Sequence, residues 1–250
     1  MGLFECFGYT LKKYNNDEIT FSNYIKQMHV NKTKTISLHS YNNENVRYWV
    51  IPVNNVEFYL FYDENFDLVG WDFVSNTGVT NKFKIKDTLK NLNDINGWFR
   101  FGFVQIESGV CPLNLCVVNY DAITDNDVDK ELEFEMTLFT EEIEVYKNEK
   151  VFYEKQREEP KFSSESIIPV GMFTGRRLSS IWLNGKVVNV QKRCNDLEYY
   201  SLVVECCGIK FNVLTTEKVG KEISIGNILS IKGEIYSKVL KQPIKQYEVQ

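Results

Sequence analysis

The side chains here that could do chemistry are two histidines, six cysteines and a surplus of carboxylates. His29 and His39 have no neighbour at metal-ligand spacing and no evident nucleophile to activate. Cys111 and Cys116 flank a four-residue gap in an apolar run, with no second pair to complete a zinc site. Cys206-Cys207 falls at a hairpin corner. With no secretion signal at the N-terminus, these four together with Cys6 and Cys194 read as free thiols used as small hydrophobes. There is no GxGxxG, P-loop or GxSxG motif. The nearest approach, GMFTGRR at 171–177, lacks a Lys-Ser/Thr ending and reads as a basic lead-in to the last third of the chain. Asp63 with Glu64, or Asp121 with Asp125, could in principle do acid–base or magnesium chemistry. A solvated acidic face explains the run 125–144 more cheaply. The inventory points to a binding protein, without cofactor or metal, rather than to an enzyme.

Charge is distributed unevenly. Residues 172–250 hold 12 Lys or Arg against 7 Asp or Glu, a net of +5, while the other 171 residues carry −10. Such a split provides either a basic surface for an anionic partner or two parts of one chain docked by opposite fields. With 43% apolar and 14% aromatic residues the chain can build a packed core. No stretch has the length and apolarity of a membrane span, so a cytoplasmic protein with no membrane partner is expected. Richness in Asn, Lys, Ile and Tyr suggests an AT-rich coding sequence of bacterial or mobile-element origin.

These residues must be positioned by an expected N-terminal α+β domain, 1–158, with a mostly antiparallel sheet, a linker at 159–176, and an all-β domain at 177–250. A helix is expected at 21–29 after Thr20, and another at 84–94, where Ile85, Leu89 and Leu92 fall at i, i+4 and i+7 before Gly97. RYWVIPV, VEFYLFYD and FDLVGWDFV alternate as strands between Asn- and Asp-rich turns. WFRFGFVQIE and LNLCVVNYD read as central strands. ELEFEMTLF, EIEVY and VFYEK continue as an acidic meander across the turn at 147–150. QREEPKFSSES at 156–166 has no periodicity, which makes it the natural boundary. No internal repeat is evident.

From Ile181 to Val249 the spacing predicts five strands in about 70 residues. Sorted by parity, Tyr200, Leu202, Val204, Cys206, Ile209, Phe211, Val213, Leu229, Ile231 and Ile235 face inward. Tyr199, Ser201, Val203, Glu205, Lys210, Asn212, Ser230, Lys232 and Glu234 face outward. Gly185 allows the long first strand to bend. GKVVNV at 185–190, YYSLVVECCGIKFNVL at 199–214 and IGNILSIKGEI at 225–235 give this segment a resemblance to the OB-fold, a five-stranded Greek-key barrel that binds oligonucleotides or oligosaccharides. The resemblance implies a ligand lying across strands two and three and between flanking loops. That surface would comprise Trp182, Lys186, Lys192, Arg193, Tyr199, Lys210, Asn212, Lys232, Lys238 and Lys241, cations for phosphates beside rings for bases. The expected partner is single-stranded DNA or RNA or another extended polyanion. The alternative is a protein-interaction or structural component whose barrel docks on its own acidic domain.

Overall fold

Alternation of apolar and polar residues runs through most of the chain, and it becomes strand almost everywhere. The structure, a computed structural model, describes residues 4–10, 23, 37–40, 47–62, 68–76, 78–89, 102–157, 161–174, 178–240 and 247–248. In chain order the strands are β1 (Ser37–Ser40), β2 (Arg47–Val53), β3 (Val56–Tyr62), β4 (Leu68–Ser75), β5 (Thr80–Leu89), β6 (Gly102–Glu107), β7 (Pro112–Val117), β8 (Glu131–Tyr146), β9 (Ser166–Ile168), β10 (Ser180–Cys194), β11 (Glu198–Cys206), β12 (Ile209–Thr216), β13 (Ile228–Val239) and β14 (Tyr247–Glu248). Among the described residues, helix is confined to short pieces: 3-10 turns at Phe4–Phe7, Tyr120–Ala122 and Asp125–Asp127, then α1 (Glu149–Lys155), α2 (Gly171–Thr174) and α3 (Glu217–Gly220). The protein is therefore mostly β. One sheet is ordered β14-β1-β2-β3-β4 and the other β11-β12-β8-β5-β6-β7-β13-β10-β9.

Two expected elements are corrected. The segment read as a helix at 84–94 is, through Leu89, the second half of β5. An i, i+4 spacing is even, so in the sequence Ile85 and Leu89 fit a period of two as well as a helical one, although the register shift after Ile85 then sets Ile85 opposite Ile106 and Leu89 opposite Phe103. Phe83 and Ile85 turn inward between exposed Lys82, Lys84 and Lys86, and pairing with β8 and β6 settles the ambiguity. VFYEK is helical rather than extended, because Asn148 caps α1 by accepting from Val151 N at 3.0 Å. The helix expected at 21–29 lies outside the described residues apart from Asn23. Within the segment read as a linker, β9 pairs with β10, so strands on both sides of 159–176 belong to one sheet.

The large sheet contains an internal repeat that inspection of the sequence does not reveal. β10 pairs with β11, β11 with β12, β12 in parallel with β8, β8 with β13, and β13 with β10, which closes a circuit of five strands. A second circuit runs β5-β6-β7-β13-β8-β5, with β7 and β13 as its parallel pair. The units β5–β8 and β10–β13 thus have the same pairing scheme, and each lends the end of its last strand to the other. Details repeat with it. Both first strands carry a register shift, at Ile85/Asp87 and at Val187/Asn189. Ile85 exchanges backbone hydrogen bonds with Lys130 and Asp129, as Val187 does with Asn227 and Gly226. Asp129 and Gly226 both have positive φ, 65° and 93°. Thr140 Oγ1 donates to Leu214 O at 3.1 Å, and its counterpart Ser237 Oγ to Cys116 O at 3.0 Å. In this correspondence Leu138 matches Ile235, and these two pair with each other, so they lie on the pseudo-two-fold axis. The expected fifth strand near 244–249 is corrected accordingly. Its described residues, Tyr247–Glu248, pair with β1, and the fifth place beside β12 and β13 is taken by β8.

One apolar core runs through both circuits and the smaller sheet. At its centre Phe139 and Tyr236, matched residues of the two units, lie 5.1 Å apart between ring centroids, and Phe73 of β4 stands 5.1 Å and 6.0 Å from them. Phe7, from the N-terminal 3-10 turn, completes the cluster at 4.3 Å from Phe73 and 4.8 Å from Phe139.

Candidate functional site

The structure divides the expected site residues among several environments. Tyr199 and Asn212 are fully buried, which corrects their placement on an accessible face. Parity identified their side of the sheet, but what lies on that side is the N-terminal segment. The Phe4–Phe7 turn packs on β11 and β12, Leu197 N donates to Gly8 O at 2.7 Å, and Asn195 Nδ2 donates to Phe7 O at 2.6 Å. Beneath it Ser201 Oγ donates to Asn212 Oδ1 at 2.7 Å. Lys238 is nearly enclosed, 3.0 Å from Glu57 and 3.5 Å from Glu135, and donates to Asn76 Oδ1 at 2.8 Å. Lys241 lies outside the described residues.

On the open part of the face, Lys186, Glu205 and Lys210 share one register row across β10, β11 and β12, and both lysines are exposed. Arg193 is half-buried and donates to Gln191 Oε1 at 2.8 Å. Lys192, on the opposite side of the strand, pairs with Glu198 at 2.7 Å, and that hydrogen bond holds its ammonium above the usual lysine range.

Trp182 and Lys232 converge on a cleft of about 790 Å³, within the size range of small-molecule sites. Its floor is two register rows across β8, β13 and β10: Glu142, Lys232 and Trp182, then Glu144, Ser230 and Asn184. Lys155, Gln156 and Arg157, at and after the end of α1, form one wall, and Phe162 forms another. Trp182 Nε1 donates to Ser230 Oγ at 2.8 Å, which fixes the indole, and Phe162 sits over it with centroids 5.1 Å apart. Gln156 holds Phe162 in place, accepting from its N at 2.6 Å and donating to its O at 3.1 Å.

The charges of the cleft are partly matched. Lys232 Nζ lies 2.6 Å from Glu142 and 5.8 Å from the Trp182 ring centroid. Tyr146 donates to Glu144; burial, reinforced by that carboxylate, pushes its phenol up to about 12, so it is a neutral donor at physiological pH. Neither Lys155 nor Arg157 is ion-paired among the described residues. Asn184, 2% exposed, donates to Ser163 O at 3.1 Å and Ser166 Oγ at 3.0 Å, while its Oδ1 accepts nothing there. A buried carbonyl without a donor costs roughly 1–3 kcal/mol. Asn184 and the α1 wall are what inspection of the sequence missed: the pattern IWLNGK placed Asn184 in a strand, but only the β9 pairing encloses it.

All six cysteines are unpaired thiols, with Cys194 exposed and Cys6, Cys116 and Cys206 buried. Burial pushes the thiols of Cys111 and Cys206 up, which suppresses their thiolate. Brief alkylation of the folded protein at mildly alkaline pH is expected to label Cys194 first in a peptide mass map. Labelling of Cys206 ahead of it would contradict this placement. Among the described residues no group of three or more His, Cys, Asp or Glu could hold a metal ion, and no helix is long and apolar enough to cross a membrane. No protein-family model, curated protein or solved structure matches this chain.

Proposed function

We propose that this chain is a non-enzymatic binding protein for single-stranded nucleic acid or another extended polyanion, with its C-terminal part acting as an OB-like barrel. The observation that supports this reading is the circuit β10-β11-β12-β8-β13: five strands, with a long first strand that pairs with β13 over Ser180–Lys186 and with β11 over Lys186–Cys194. From strand circuit to ligand the step is one of analogy between folds. The acidic part, 1–158, and the basic part, 177–250, are separated at 159–176 in sequence, while β8 crosses that division to pair with β12 and β13. Among the described residues, Lys186 and Lys210 are exposed cations on the open side of β10–β12.

Titration of labelled single-stranded DNA and RNA tests the reading. Affinity is expected to fall as salt rises, and Lys186→Gln and Lys210→Gln should each reduce the salt slope by about 1. Absence of binding even at low salt, or binding indifferent to salt, would remove phosphate contact as the function.

A second reading, a structural or protein-interaction component whose basic part docks on its own acidic part, is favoured by the ion pairs of Lys238 with Glu57 and Glu135 and of Lys232 with Glu142. The same titration separates the two, because docking leaves no salt-dependent affinity for single strands.

A further inference from the structure

We propose that the cleft beside Trp182 is a nucleotide site, which takes a flat ring against Phe162 and a phosphate between Lys155 and Arg157. The inference rests on the nucleic-acid reading for the class of ligand, but it concerns a different surface from the open side of β10–β12. Phe162 is 45% exposed while its backbone is clamped by two hydrogen bonds with Gln156, its N donating to Oε1 and its O accepting from Nε2, so a large ring stands out to solvent with Trp182 behind it. An exposed ring on an anchored backbone, backed by a second ring, is a stacking platform.

The charge pattern restricts what can stack there. Lys232 is already matched by Glu142, and Glu144 faces the same floor, so a bare anion deep in the cleft would meet carboxylates. Lys155, whose ammonium lies 5.5 Å from the Tyr146 ring centroid, and Arg157 stand on the α1 wall without a carboxylate partner among the described residues, which places the anionic end of a ligand there. Its other end must offer hydrogen-bond donors, since the floor presents Glu144 and the buried amide of Asn184, whose Oδ1 has no donor among the described residues. A nucleotide combines these features in one molecule: a phosphate, a flat ring, and N–H and O–H donors.

The repeat within the fold supplies an independent comparison. By the correspondence of the two units, the row Trp182, Lys232 and Glu142 matches Thr80, Glu135 and Lys238. There the chain covers its own surface, and what it seats on Lys238 is the Glu57 carboxylate together with the planar amide of Asn76. The charges are exchanged between the units: where Lys238 holds two acceptors, the open cleft presents Glu142, so its deep end calls for hydrogen-bond donors and the anionic end of a ligand is left to the α1 wall.

Adenosine monophosphate, adenosine and inorganic phosphate, titrated separately against the full chain by calorimetry and by NMR, test the proposal. The monophosphate is expected to bind at least about fivefold more tightly than either fragment. Phe162→Leu should weaken the monophosphate and adenosine alike by about fivefold or more, the value of one stacked ring. Lys155→Gln combined with Arg157→Gln should reduce the monophosphate to the affinity of adenosine and leave adenosine unchanged. Both sets of substitutions are at exposed positions, and thermal melting checks that the fold survives. Phosphate binding as tightly as the monophosphate, or Phe162→Leu without effect, overturns the proposal. If single strands bind with salt dependence while the monophosphate does not bind, the cleft proposal falls and the polyanion reading stands. Monophosphate binding as described, without affinity for single strands, upholds the cleft and removes the polyanion reading.

Discussion

Gly233→Ala is expected to destabilise the protein by about 3 kcal/mol or more, which would show as a large fall in the urea midpoint. Gly233 follows the register shift in the pairing of β13 with β8, where it lies opposite Thr140, and on its other side it pairs with Ile181 of β10. A Cβ there would stand 2.1 Å from Phe139 O and 3.0 Å from Phe139 C. Those are backbone atoms of the neighbouring strand, so no side-chain rotation relieves the clash. β8 and β13 must separate, and because each of them completes both circuits, the strain reaches both units at once. Lys186→Ala, at an exposed position, is expected to stay within about 0.5 kcal/mol of the parent. A Gly233→Ala protein of parental stability would mean that the two strands do not cross so closely.

Phe139→Ala is expected to cost about 3–5 kcal/mol, the range for a buried aromatic truncated to alanine. Its ring, 2% exposed, touches Phe7, Phe73 and Tyr236, which come from the N-terminal turn, the smaller sheet and the other unit. The loss should therefore extend beyond the cavity it leaves. Hydrogen exchange is expected to accelerate in β4 and β11, since the ring supports the packing of Phe73 on one and of the N-terminal turn on the other. A change confined to β8, or a loss under about 1 kcal/mol, would show that the three parts are held together by something else.

The repeat explains why the sequence shows pairs of strands but not their partners. Matched positions keep polarity more than identity: Ile85 with Val187, Ile106 with Val204 and Leu113 with Phe211 are apolar replacements, while Lys84 with Lys186, Glu107 with Glu205 and Asn114 with Asn212 are scattered identities. A packed interior accepts any apolar side chain of suitable volume, so a repeated fold leaves little repeated text.

What the residues determined by themselves was local. Period-two alternation specified strands at β2, β3, β8 and β10–β13, the inward rows Leu202, Val204, Phe211 and Val213, and the outward lysines 186, 210 and 232. Which strands meet, and what covers each face, was decided only by the tertiary structure. Tyr199 and Asn212 alternate correctly and are nonetheless buried, because a strand has two faces and periodicity cannot say that residues from the far end of the chain will lie on one of them. For the same reason the fifth strand came from β8 rather than from the C-terminus: hydrogen-bond edges are chemically alike, and long-range packing chooses among them.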